Sequence, residues 1–230
     1  MKKQLLTLAM SVAALSAMQN SDFDKLEVFK SKGAKTVANK LVGKNLDLYI
    51  VRGIDGRGNS YEIVVDSTGR YIVPTASVLD MNIQEAIKIP LDMSKLKGKE
   101  AFSYGSGKNE YYVFTDPECH YCKKFEKMWP SLSKDIKLNV YLYNLPFHKE
   151  ANSMSNWILS AKNSKEKAQR LIDIANGSTK YKSAKYSADE IKKLNEILAK
   201  QKALGVAYGV KGTPTVLDSK GNSVVWTNLK

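Results

Sequence analysis

Cysteine and histidine are almost missing from this 230-residue sequence: Cys119, Cys122, His120 and His148 are the whole supply. A disulfide-rich scaffold is excluded, and a structural zinc site would have to gather all of these side chains on one ion. His120 sits inside the dithiol motif, where its ring would have to fold back toward that ion, so no metal is assigned. Arginine is scarce too. Arg52, Arg57, Arg70 and Arg170 are the only ones, although 36 basic residues against 23 acidic ones give a net charge of +13. Nucleic-acid readers use guanidinium forks for bidentate contacts, whereas lysine spread from end to end reads as a solvated surface, so no nucleic-acid partner is expected. No stretch reaches the roughly 20 apolar residues of a comfortable membrane span. The apolar fraction of 43% is nevertheless that of a folded chain, long enough for one compact domain or two small ones.

The longest uncharged run lies at the start. Lys2 and Lys3 precede an apolar or small segment over 5–18, followed by Gln19, Asn20 and Ser21. This pattern is that of a secretory signal peptide, assigned to 1–17 with a cleavage site around Leu15, Ser16 and Ala17; an uncleaved anchor is the alternative. The mature protein is expected to be soluble outside the cytoplasm.

Residues 18–80 read as a small mixed domain. Ser21 and Asp22 can cap a short helix carrying Phe23, Leu26 and Phe29, with Gly33 ending it. Leu46, Leu48 and Ile50, then Tyr61, Ile63 and Val65, alternate with their neighbours as strands do, and 71–73 supply a third strand before Pro74. Without histidine or cysteine this part is expected to bind or to dimerise. Residues 81–108 read as a linker, helical over 82–97 despite Pro90, with a glycine-rich end at 104–108.

Residues 109–230 carry the chemistry. An aromatic strand over 111–115 is broken by Asp116 and Pro117 immediately before Cys119-His120-Tyr121-Cys122, and Cys122, Phe125 and Trp129 then share a helical face. A disulfide across two intervening residues closes too small a loop to stabilise much, so structure alone does not explain the pair. At a helix start, Cys119 faces unsatisfied N–H groups that favour thiolate and make it the nucleophile. Cys122, one turn further in, is the resolving thiol. His120, when protonated, favours the Cys119 thiolate further, or else is a solvent-facing spacer. Tyr111, Tyr112 and Tyr121 line a client groove or are packing residues.

The rest of the reading is a strand around Leu138, Val140 and Leu142, helices near 150–162 and 165–175, and a third helix opened by a Ser187/Glu190 capping box. Gly212, Thr213 and Pro214 then head a strand, with a last one over 223–227. Strand, dithiol, helix, strand, helices and a proline-led hairpin is a thioredoxin fold with a helical insert.

The segments FTDPECHYCKKF (114–125) and LGVAYGVKGTPT (204–215) resemble the DsbC/DsbG family of periplasmic thiol:disulfide isomerases. The resemblance implies an α+β/α/β architecture: a small cystatin-like N-terminal domain, a helical linker and a thioredoxin-like catalytic domain. It implies Cys119 as attacking thiolate, Cys122 as resolving thiol, His120 and Tyr121 as tuning residues, and Thr213-Pro214 as a cis peptide that pairs with extended client chains. It also implies no cofactor, a homodimer formed by the N-terminal domains, a membrane electron donor of the DsbD type, and misfolded or reduced exported proteins as clients. His120-Tyr121 replaces the more usual Gly-Tyr or Pro-Tyr. The second disulfide of DsbC has no counterpart, and neither does the family's final helix after 223–227. The 82–97 helix or a partner subunit is expected to cover the sheet face this leaves. The function expected is isomerase or reductase, with a dithiol oxidase and a client-binding chaperone as alternatives.

Overall fold

The computed structural model describes residues 17–42, 47–74, 78–80, 85–87, 89 and 91–229. The signal-peptide assignment therefore lies almost wholly outside the described residues, as does Pro90.

Helices α1 (Asn20–Lys25) and α2 (Glu27–Lys30) lie on an antiparallel meander of β1 (Lys35–Leu41), β2 (Leu48–Ile54), β3 (Ser60–Asp66) and β4 (Ile72–Pro74). Phe23, Phe29, Tyr49, Val51 and Val65 form its core, with the Phe23 and Tyr49 rings 5.1 Å apart. Two expectations are corrected here. The helix starts earlier than Ser21, because the Gln19 N–H donates to the Asp22 carboxylate at 2.9 Å, and extended backbone at Leu26 divides it in two. Strand β1 escaped the sequence reading because its side chains show no clean alternation of burial.

The expected helical linker is not formed where the chain is described. Strands β5 (Leu79–Asp80) and β6 (Glu85–Ala86) pair with each other, and a single 3-10 turn occupies Met93–Lys95 with Asp92 capping it. The glycine-rich end is no free tether either. Residues 102–104 form β7 (Phe102–Tyr104), and the turn after it binds back through Ser106 N–H to the Ser133 carbonyl at 2.9 Å and Gly107 N–H to the Ile136 carbonyl at 3.1 Å. A Cβ on Gly107 would overlap the Asp135 carbonyl group, so this close approach requires glycine.

Strand β8 (Asn109–Thr115) leads into helix α3 (His120–Leu132) and then β9 (Ile136–Leu142), which runs parallel to β8. Pro130 lies inside α3, which continues to Leu132. Helices α4 (Ala151–Leu159), α5 (Ser164–Ala175) and α6 (Ala188–Ala207) form the insert. The Ser187 and Glu190 side chains close a reciprocal cap on α6. Strands β10 (Thr215–Leu217) and β11 (Ser223–Val224) complete a sheet of order β11-β10-β8-β9-β7.

Both faces of this sheet are covered. On one, Val113, Val140 and Val216 meet Phe125 and Trp129 of α3 and Leu171 of α5. Beyond β11 the chain makes a 3-10 turn at Trp226–Asn228 instead of a longer strand, placing the Trp226 ring 5.6 Å from Phe125 and burying Leu229. On the other face, Tyr112, Phe114 and Tyr141 meet Val206 of α6, Met93 and Leu96 of the segment expected as linker, and Val37 and Ile54 of the N-terminal sheet. No face is left uncovered: the residues after β11 pack on the α3 side, and the 3-10 turn at 93–95, the end of α6 and the N-terminal sheet close the other, with no linker helix among the described residues.

Candidate active site

Cys119 is the residue before the first turn of α3, with φ −64° and ψ 128°, so its sulfur stands where the first helical N–H groups are unpaired by the helix itself. The Cys119 Sγ donates to the carbonyl of Thr213 at 3.4 Å, a residue 94 positions later. Pairing of Thr215 with Phe114 brings the head of β10 to this point, and the Thr213–Pro214 peptide is cis. Cys119 keeps 7% of its surface exposed whereas Cys122 keeps none, its sulfur accepting the Asp116 N–H at 3.5 Å. A groove of about 850 Å³ runs past Thr213 and Pro214, walled by Leu91, Tyr208, Lys211 and Asn222.

The two thiols are driven apart. The hydrogen bond with Cys122 is the largest influence holding Cys119 down to about 5, helped by the Cys122 backbone, Thr213 and the Tyr121 backbone against the opposing effect of burial. Cys122 is pushed far up, first by burial, then by Cys119 and by the charge of Glu126. Glu126 is fully buried, one helical turn beyond Cys122, with Oε1 accepting the Thr115 hydroxyl at 2.7 Å and Oε2 without a hydrogen-bond partner. Burial above all, then Asp116 and Cys119, raises its carboxyl to about 8.

The approach to the dithiol is anchored by a second buried carboxylate. Asp116 accepts the Glu118 N–H at 2.8 Å and the Leu145 N–H at 2.6 Å, and its Oδ2 lies 2.8 Å from His148 Nδ1. Glu118 accepts the Glu150 N–H at 2.7 Å. These bonds tie residues 116–118 to the loop after β9 and fix where α3 begins.

Of the residues singled out in the sequence, Cys119, Cys122 and Thr213 meet directly, with Pro214 beside them. His120 and Tyr121 are exposed on the first turn of α3, their rings 5.8 Å apart in an edge contact. Tyr112 is buried in the core opposite α3 and Tyr111 packs against the α3 side, so neither lines a client groove. The sequence reading missed Glu126 and Asp116. Glu126 falls on the stripe of Cys122, Phe125 and Trp129, a charge on an apolar face, and that mismatch was the available signal.

The thioredoxin-like domain family profile matches residues 103–227. The chain belongs to that family. Its thioredoxin-like domain thus takes in β7 and the dithiol through to the turn after β11. No curated protein sequence matches the chain. Similar solved structures include DsbG from Helicobacter pylori, 16% identical with a TM-score of 0.43, covering 86% of this chain and 98% of that one. A disulfide interchange protein from Neisseria gonorrhoeae is 20% identical with a TM-score of 0.41, covering 58% of this chain and 86% of that one. ScsC from Proteus mirabilis in a compact conformation is 19% identical with a TM-score of 0.44, covering 62% and 78%.

Proposed function

We propose that the protein is a periplasmic thiol:disulfide isomerase or reductase, exported by the 1–17 signal peptide, that attacks wrong disulfides in exported proteins. The observation that carries this reading is the split between a thiol held down to about 5 at a helix start and a buried partner pushed up beside it. The Cys119 thiolate attacks one sulfur of a client disulfide, forming a mixed disulfide and expelling a client thiolate that takes a proton from water. In isomerisation, a client thiolate then attacks the mixed disulfide at the client sulfur, making a new client bond and returning Cys119. In reduction, Cys122 attacks Cys119 as its proton passes through water to the departing client sulfur, which leaves as a thiol, and a Cys119–Cys122 disulfide remains. A membrane donor of the DsbD type then returns two electrons and one proton, restoring the Cys119 thiolate and the Cys122 thiol. Burial and the neighbouring Cys119 thiolate keep Cys122 protonated until the mixed disulfide forms, so the resolving thiol stays in reserve. His120 and Tyr121 tune the pair, and Thr213-Pro214 contacts the client chain. Residues 18–80 form the dimerising unit: β4 is an edge of its sheet, and Tyr71 and Val73 stand exposed there at 62% and 52%.

A second reading, dithiol oxidase, is favoured by the low Cys119 value itself, since stabilising a thiolate stabilises the reduced form and makes the disulfide a better oxidant. Acid trapping and alkylation of thiols in living cells separates the two. A mostly reduced pair supports the isomerase, and a mostly oxidised pair assigns the oxidase. Cys119→Ala abolishes activity in both, whereas a chaperone function of the groove would survive it.

A further inference from the structure

The N-terminal sheet makes a polar contact with the end of α6 through Arg52. Arg52 on β2 has only 14% of its side chain exposed, and its Nε donates to the Glu62 carboxylate on β3. Its Nη1 donates to the Ala207 carbonyl, in the last turn of α6, at 3.2 Å. A cation at that end meets the negative pole of the helix and satisfies a carbonyl the helix leaves open. The guanidinium also lies against Gly209, where a Cβ would stand 3.1 Å from Arg52 Cζ; at φ +73° this glycine makes the turn out of α6. Glu62 extends the clasp, its Oε1 4.0 Å from Lys211 Nζ. From within the thioredoxin-like domain, the same turn is held by the Tyr143 hydroxyl donating to the Val210 carbonyl at 3.0 Å. Four residues after Gly209 the chain reaches Thr213, whose carbonyl takes the Cys119 sulfur.

We propose that Arg52 is a positioning residue: by fixing the turn at 207–211 it sets Thr213 against Cys119, and the N-terminal sheet thereby governs the reactivity of the dithiol. The inference rests on the reading of Cys119 as the attacking thiol. It assigns the N-terminal unit a role within its own chain, separate from any role in dimerisation. Arg52 touches neither sulfur and acts only through the turn.

The test follows Cys119 alkylation and thiolate ultraviolet absorbance against pH in the full chain, for wild type, Arg52→Ala and Arg52→Gln. Release of the turn withdraws the Thr213 side chain, which helps hold Cys119 down, so the midpoint rises by about 0.5 to 1 pH unit, with about three- to tenfold less thiolate below it. Arg52→Gln keeps the stem and a neutral donor but loses the charge that holds Glu62, and shifts the same way. A folded Arg52→Ala variant with a wild-type midpoint and a lower melting temperature overturns the proposal, because the clasp would then only join the two units. If Arg52→Ala does not fold, a wild-type midpoint in Arg52→Gln overturns it. Failure of wild-type protein to reduce a client disulfide would instead refute the exchange reading, whatever the midpoints.

Discussion

Two cysteines separated by one helical turn hold their protons very differently, and this asymmetry follows from where each sits rather than from residue type. Alkylation of Cys119 should follow a midpoint near 5 while Cys122 stays unlabelled across neutral pH, as mass spectrometry of singly modified protein will show. Glu126 gives a second residue-scale prediction. Its carboxyl is raised to about 8, above the ordinary 4.5, so the folded state keeps a proton that the unfolded state has lost between those values. The contribution to stability is complete below 4.5 and is lost as pH rises through 8. Glu126→Gln should therefore be more stable than wild type at pH above about 8, with the difference shrinking as pH falls. Denaturant titrations at several pH values measure this. At this scale the sequence was informative about the dithiol, because C-x-x-C between a strand and a helix has few other uses. It was silent on Glu126, which looks like one more surface charge beside Lys123, Lys124 and Lys127 until its place on the apolar stripe is noticed.

Elements with strong periodicity or explicit caps were legible: β2, β3, β8, β9 and the Ser187-capped α6 appear where alternation and the capping box put them. Elements fixed by tertiary partners were not. Strand β1 is defined by pairing with β2 and not by its own pattern, and β7 lies in a segment whose glycines read as a tether. Gly107 shows why that reading failed, because it is glycine for close approach and not for freedom. Gly107→Ala should force the turn off the Asp135 backbone and cost about 1–3 kcal/mol, as overpacking does. The midpoint of urea unfolding reads the loss, whereas Gly98→Ala, with open space around its Cβ position, tests the opposite case of a strained φ of +74° without a clash.

Across the whole molecule, the N-terminal sheet and the thioredoxin-like domain share a core. Val37 and Ile54 from the first pack into the cluster of Met93, Tyr112, Phe114 and Val206 in the second, and Arg52 adds a polar clasp. Two units that bury one another's apolar surface lose it together. Calorimetry should show one cooperative thermal transition for the full chain, with equal calorimetric and van't Hoff enthalpies per folding unit. Two resolved transitions would mean that the shared cluster contributes little. The sequence placed the two halves in order but offered no sign of this contact, since Val37 and Ile54 look like ordinary strand residues and Arg52 like one of many exposed cations.

The bond between Cys119 and Thr213 spans 94 residues of chain, and that distance is also an interval of time. A polypeptide made from its N-terminus presents its dithiol long before β10 is complete. Until the final hairpin arrives, Cys119 lacks its opposing Thr213 and two of the five strands of its sheet, and meets passing disulfides as an unassembled thiol. Maturation of the dithiol is therefore tied to completion of the chain: nascent chains arrested before β10 should label at Cys119 with a midpoint above 5, displaced toward the ordinary thiol value.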